Sequence, residues 1–255
     1  MEGFDYGGIS NFGYQREINE DYIGLIELDD DTLFAIVADG AGSGRSEYQP
    51  AALIVQEIQN SVKRIFEANK ELFLSETSLF LSEAINNANR VMGAFKLGNE
   101  EIYGGFAASV TCCIITRNGR ITFAHAGNTR LYLIRTINDN GVIKQLTTDH
   151  SELQKRVNAG EISEDEYYTH PDRLKLYSGI GFVTEPEIQV FTGKIKKNDI
   201  LLITSDGIHN AIRKQAIRDI VCSSDNCKLA AEALVNTAVE LKYVDNMSSI
   251  VIWIH

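Results

Sequence analysis

Two apolar runs, Asp21–Leu28 (DYIGLIEL) and Thr32–Asp39 (TLFAIVAD), are joined by the acidic triplet Asp29-Asp30-Asp31. Both runs are rich in β-branched and aromatic residues, and the triplet has turn chemistry, so the stretch predicts a β-hairpin. Glycines at 40, 42 and 44 follow. Ala52, Val55, Ile58, Val62 and Ile65 or Phe66 then recur at three- and four-residue steps, the stripe of an amphipathic helix. A second helix is predicted over Leu79 to Phe95, with the Asn-rich stretch Asn86–Asn89 on its wet face. Strands return at Ser109–Arg117, Arg120–Ala126 and Arg130–Arg135. The first two are joined by an Asn118-Gly119 hairpin turn, and Asn140-Gly141 signals another turn before Val142–Leu146. Further strands are expected at Gln189–Lys194, Ile200–Ser205 and Ser248–Ile254, and further helices at Arg213–Val221 and Cys227–Leu241. Strands and helices come in blocks rather than in regular alternation. That order argues against a doubly wound parallel sheet and for an α+β fold of antiparallel sheets with helices packed outside. Residues 148–178 are polar, with short helices at most, and read as an excursion over the surface.

The 255 residues are enough for one domain with a large core, and no Pro-, Gly- or Ser-rich linker divides them. No apolar run is long enough to span a bilayer, and Met1 to Ser10 lacks the pattern of a secretory signal. Four cysteines without a CxxC pair read as reduced thiols, with Cys112 and Cys113 on opposite faces of one strand. These features fit a cytoplasmic protein. The net charge of −11 argues against sequence-independent binding to nucleic acid, which needs a basic face.

The carboxylates recur at strand ends. Asp39 ends LFAIVAD and Asp206 ends ILLITSD, each followed by glycine; Asp245 precedes the strand SSIVIWI; the pair Glu20-Asp21 opens the first run. An Asp-Gly pair taken singly is most often just a turn. Four acidic strand ends suggest more, because clustered oxygen ligands without Cys or His suit hard octahedral cations such as Mg²⁺ or Mn²⁺. Without a cation such a cluster repels itself.

The order of motifs resembles the metal-dependent protein phosphatase family (PPM, type 2C), particularly its bacterial members. Arg16-Glu17-Ile18-Asn19-Glu20-Asp21 resembles the family's Arg-x-x-Asn-Glu-Asp, and Ala38-Asp39-Gly40-Ala41-Gly42 its Asp-Gly-x-Gly. Ala126-Gly127-Asn128-Thr129-Arg130 resembles Gly-Asp-Ser-Arg, and Leu146–Ser151 the element that opens the flap. Ser205-Asp206-Gly207 and Asp245-Asn246 resemble the last two motifs. The resemblance spans about residues 5–254. It implies a four-layer αββα sandwich, two antiparallel β-sheets flanked by helices, formed by one domain over 1–255 with a flap at about 148–178. It implies hydrolysis of phosphoserine and phosphothreonine on proteins by water activated between two Mn²⁺ or Mg²⁺ ions. Asp39 would bridge both ions, with the Gly40 carbonyl beside it. Asp206 and Asp245 would hold one ion, while Asp21, supported by Glu20, would lie on the other side through waters. Arg16 would bind the substrate phosphate, which a guanidinium grips bidentately. The residue six after each cysteine is never Arg, so the Cys-x5-Arg loop of cysteine phosphatases is absent.

Several positions depart from the family pattern. Asn128 stands where the family has an aspartate that helps bind a third metal, which puts that site in doubt. Gly42-Ser43-Gly44-Arg45 replaces a Gly-Gly-His segment, Ala108-Ser109-Val110 a Gly-Thr-Thr element, and Leu174 an asparagine in the flap. These changes leave a second reading open, a catalytically weak or inactive phosphatase-like binding module. Retention of Asp39 and Asp206 favours the enzyme. A third reading is an active phosphatase whose substrates are regulatory switch proteins. Phosphorylated proteins and a kinase on a separate chain are the expected partners, with no nucleic acid or membrane partner and a monomeric state. His150, His170 and Arg130 read as structural residues of the flap and its border.

Overall fold

The computed structural model describes residues 3–42, 49–137 and 140–255. Strands β1 (Phe4–Asn11), β2 (Asp21–Asp29) and β3 (Thr32–Ala41) lead into helices α1 (Pro50–Ala68), α2 (Lys70–Ser75), α3 (Thr77–Lys96) and α4 (Glu100–Tyr103). Strands β4 (Ala107–Thr116), β5 (Arg120–Ala126), β6 (Arg130–Ile137) and β7 (Asn140–Gln145) follow. Helices α5 (Glu152–Asn158) and α6 (Glu164–Thr169) precede β8 (Gln189–Lys194) and β9 (Ile200–Thr204). Helices α7 (Asp206–His209), α8 (Lys214–Cys222) and α9 (Cys227–Glu240) and strand β10 (Met247–Ile254) complete the order.

Both sheets are antiparallel and five-stranded, ordered β1-β10-β9-β6-β7 and β2-β3-β4-β5-β8. Strand periodicity of two explains how they stack. On β3, Leu33, Ala35 and Val37 meet Leu201 and Ile203 of β9 and Ile250 and Ile252 of β10 between the sheets. The alternate residues Phe34, Ile36 and Ala38 face Ile54 and Ile58 of α1 and Leu81 and Ile85 of α3. Tyr132, Leu202 and Val251 face outward from the other sheet onto Ile217 of α8 and Leu234 of α9. Three apolar layers therefore separate four layers of backbone. Cys113 lies between the sheets and Cys112 on the helix side, as strand alternation requires. Among the described residues no helix is long and apolar enough to cross a membrane.

Some local expectations need correction. Asn89 is buried rather than wet. Its side-chain nitrogen donates to the Val183 and Thr184 carbonyls and its oxygen accepts from Gly181 N–H, which fixes the turn at 181–184. The β4–β5 connection has three residues, 117–119, with Gly119 at φ +84°, the three-residue hairpin rather than the two-residue one. Asn140-Gly141 opens β7 instead of forming a turn, and the connection at 138–139 lies outside the described residues. So do Ser43, Gly44 and Arg45 of the altered glycine loop.

The excursion after β7 is polar and is anchored at Asp149. Asp149 is fully buried and accepts from Arg130 Nε (2.9 Å) and Nη2 (2.7 Å). It also accepts from Gln145 Nε2 (3.1 Å) and from the hydroxyl of Tyr167 on α6 (2.9 Å). Removing the carboxylate leaves a buried guanidinium unpaired, so Asp149→Ala is expected to lower unfolding free energy by about 3–5 kcal/mol. Tyr167→Phe is expected to cost about 1 kcal/mol. Urea unfolding of both variants checks this, and a loss under about 1 kcal/mol for Asp149→Ala contradicts it.

Candidate active site

The four aspartates come from both sheets and meet at one end of the sandwich. Asp21 opens β2 and sits directly opposite Asp39 of β3 in the strand register. Asp206 follows β9 as the first residue of α7, and Asp245 stands two residues before β10. The ends of β9, β10 and β1, neighbours in one sheet, are laced by serines here: Ser205 N–H donates to the Ser248 carbonyl, Ser248 N–H to Ser205 Oγ, and Ser248 Oγ to Ser10 Oγ.

The electrostatics are those of crowded, buried acids. Asp21 is 3% exposed, and neither of its carboxylate oxygens has a hydrogen-bond partner among the described residues. Burial pushes its pKa up to about 7, against the nearby hydroxyls of Ser205 and Ser248 and with the charge of Asp245. Burial and then the charge of Asp245 raise Asp206 to about 7 as well. Asp39, central in the group, is raised well above the carboxylate range by burial and by the charges of Asp206, Asp21 and Asp245. Asp245 is raised by burial, with Arg16 working in the opposite direction. Each shift has the same two physical causes, loss of water and like charge nearby.

The outer oxygens have taken neighbouring donors. Asn128 Nδ2 donates to Asp206 Oδ2 (3.0 Å), and Ser109 Oγ holds the amide by donating to Asn128 Oδ1 (2.7 Å). Arg16 Nη2 donates to Asp245 Oδ1 (3.0 Å) from a side chain that is 46% exposed. Arg16 therefore stands at the rim of the cluster, against an aspartate. Gly40 N–H donates to the Glu20 carbonyl (3.1 Å), which ties Glu20 to the Asp39 strand through its backbone. Among the described residues no three Asp, Glu, His or Cys side chains already stand around one point in metal-ligating geometry. The donor set nevertheless fits a hard divalent cation. It offers four carboxylates, two of them buried and one of those unpartnered among the described residues, with no thiolate among them.

A polar cavity of about 340 Å³ lies under the flap, lined by Lys144, Thr148, Gln154, Tyr168 and Lys214 among others, and none of the four aspartates faces it. A smaller groove of about 310 Å³, bordered by Ser10, Asn19 and Tyr22, reaches Asp21. His150 is buried, accepts from Gly127 N–H (3.2 Å), and is pushed below the usual histidine range by burial. His170 accepts from Asp172 N–H within its own turn (3.1 Å). Both histidines serve the backbone of the flap.

Sequence reasoning placed Asn246 in a motif but gave it no role of its own. It follows Asp245, is 5% exposed, and joins three backbone groups of the segment that carries Arg16 and Glu20. The Asp-Asn dipeptide was visible in the sequence; its partners, more than 220 residues away, were not.

The sequence model of the protein phosphatase 2C family matches residues 14–238. The chain is 29% identical over 245 residues to Protein phosphatase PhpP of Streptococcus pneumoniae, covering 94% of this chain and 93% of that one. It is 25% identical over 240 residues to Serine/threonine phosphatase stp of Listeria monocytogenes, covering 94% and 92%. Among solved structures, the serine/threonine phosphatase of S. agalactiae superposes with a TM-score of 0.86 at 22% identity, over 99% of this chain and 100% of that one. The catalytic domain of PstP, a serine threonine protein phosphatase solved with two manganese ions, gives 0.79 at 20% identity, over 98% and 97%. The four-layer arrangement is thus shared along the whole length, and the chain belongs to the protein phosphatase 2C family.

Proposed function

We propose that the four aspartates hold two divalent cations, Mn²⁺ or Mg²⁺, and that these act with Arg16 on phosphoserine and phosphothreonine in proteins. The chain is a metal-dependent serine/threonine protein phosphatase, as its family and its named relatives indicate. The observation that carries the proposed site is Asp21, whose two oxygens are buried and unpartnered among three other acids raised by the same crowding. Two manganese ions in PstP, a structural neighbour, agree with the number proposed.

In this reading Asp39, with the Gly40 carbonyl beside it, and Asp206 and Asp245 would hold the cations, and Asp21, supported by Glu20, would serve the site from the β2 side. When bound, such a pair lowers the pKa of water and neutralises charge growing on the phosphoryl oxygens. Arg16 turns from Asp245 to the phosphate, where two parallel N–H donors match two oxygens. Asn128 keeps Asp206 in one orientation with a neutral donor in place of a charged ligand, so a third cation is not required. The whole chain is one catalytic domain with a flap over about 148–178, and its substrates are phosphorylated by a separate kinase.

Three outcomes are expected. Asp206→Asn abolishes Mn²⁺-dependent hydrolysis of a phosphothreonine peptide, by about a hundredfold or more, with unchanged circular dichroism; a fully active variant contradicts the assignment. Asn128→Asp puts a fifth carboxylate beside Asp206. It should lower the melting temperature without metal and raise Mn²⁺ affinity in a calorimetric titration. Equal affinity for wild type and variant would show that position 128 has no bearing on cation binding.

The third outcome concerns pH. Asp21 and Asp206 have folded pKa values of about 7, above the ordinary 3.8, so the metal-free fold binds more protons than the unfolded chain between roughly pH 4 and 7. Its stability from these groups falls as pH rises through that window. Cations compete with those protons. The gap in melting temperature between Mn²⁺ and chelator should therefore widen from pH 5.5 to pH 8, by about 5 °C or more. The buried histidines contribute with opposite sign but equally to both samples, so they cancel in the difference. A gap that narrows with pH contradicts the cluster's role.

A further inference from the structure

We infer that Asn246 is the positioning residue for Arg16, and that it couples the phosphate-binding arginine to the cation site; this rests on the proposal that Arg16 meets the substrate phosphate. An asparagine side chain has two N–H donors and one strong acceptor oxygen. Asn246 spends all of them on one short segment. Nδ2 donates to the Phe12 carbonyl (3.1 Å) and to the Ile18 carbonyl (2.8 Å), and Oδ1 accepts from Glu20 N–H (2.9 Å). These three groups flank Arg16 on both sides. Between them Gly13 is buried, whereas Tyr14, Arg16 and Ile18 all reach solvent. One buried amide thus closes a loop whose apex carries the guanidinium.

The clamp is itself closely packed. A Cβ on Gly207 would stand 1.9 Å from the Asn246 carbonyl oxygen, and a Cβ on Gly13, at φ +80°, 1.9 Å from the Asp245 carbonyl oxygen. The 245–246 backbone is therefore wedged between two glycines. Asn246 N–H also donates to Asp245 Oδ1 (3.0 Å), the same oxygen that accepts from Arg16. The arrangement links three functions through adjacent atoms. Asp206 precedes the glycine that makes room, Asp245 is the proposed ligand, and Asn246 sets the Arg16 loop.

The consequence is preorganisation. An arginine on a free loop loses backbone and side-chain entropy each time it grips a phosphate, and that cost subtracts from affinity. With both flanks of the loop tied to the cation-bearing backbone, the guanidinium meets a phosphate already oriented toward the cluster. The effect belongs to binding of the phosphate group. It should appear in KM and in inhibition by inorganic phosphate, with little change in kcat.

The test uses the full chain at saturating Mn²⁺ and compares Arg16→Ala, Asn246→Ala, Asn246→Gln and the double variant Arg16→Ala/Asn246→Ala. Asn246→Gln keeps the amide but displaces it by one carbon, and it serves where Asn246→Ala fails to fold. Inorganic phosphate inhibition, KM and kcat for a phosphothreonine peptide, and amide hydrogen exchange over residues 13–19 are measured. Arg16→Ala should weaken phosphate inhibition about tenfold or more. Either Asn246 variant should weaken it about three- to tenfold, accelerate exchange at 13–19, and leave kcat within about threefold. In the double variant the Asn246 change should add nothing to Arg16→Ala. Unchanged inhibition and exchange in the Asn246 variants, with Arg16→Ala still defective, overturns the inference alone. So does an additive double variant. Unchanged inhibition in Arg16→Ala overturns the reading of Arg16 and the inference with it.

Discussion

Asp21, Asp39, Asp206 and Asp245 are gathered where both sheets end, Asp21 and Asp206 buried and Asp39 and Asp245 half-buried, and their mutual repulsion is the constraint the site is built around. Two like charges about 4 Å apart at an effective dielectric of about 20 repel by roughly 4 kcal/mol. A chain free to relax would separate them. This one cannot, because Asp21 and Asp39 are locked in register across β2 and β3, and Asp206 and Asp245 are held by β9 and β10. Without cations the repulsion is relieved by raised pKa values and by the donors of Asn128 and Arg16. The core between the sheets, built from Leu33, Val37, Ile203, Ile250 and their neighbours, offsets the strain. Stability and function are thus opposed at this end of the fold, a common condition for active sites.

The glycines beside these aspartates serve the backbone first. Gly207 is required because the Asn246 carbonyl passes where its Cβ would be, and Gly13 because the Asp245 carbonyl does the same. The Asp-Gly signal therefore reflects close passage of chain segments at the cluster. At the other border of the site, Arg130 and Asp149 fasten the flap to β6 with a buried pair. The flap's helices α5 and α6 are short and polar, and beside this anchor Tyr167 and the ion pairs of Lys214 and Arg213 with Glu164 and Asp165 attach α6.

Much of this was legible in the chain. The β2–β3 hairpin, the α1 stripe and the blockwise order of strands and helices all follow from local periodicity; antiparallel sheets with helices outside follow from the order, and the four-layer sandwich from the family resemblance. The four aspartates stood out because each stands at or beside the end of an apolar strand pattern. What stayed hidden depends on distant partners. Strand β1 (FDYGGISN) has a weak signal with two internal glycines, and its pairing with β10 along its full length makes it a strand. Asn89 looked like a surface residue among other asparagines, yet a loop 92 to 95 positions later needed its amide. The Arg16–Asp245 pair spans 229 residues, and no local pattern announces it.

The central claim is that cation occupancy of the aspartate cluster makes this chain a phosphatase. The most direct measurement counts bound Mn²⁺ per chain by equilibrium dialysis while following hydrolysis of a phosphothreonine peptide in the same samples. The account predicts binding of two ions, with turnover rising as the cluster fills and vanishing in chelator. Full occupancy without turnover, or turnover that persists after the metal is removed, would contradict it.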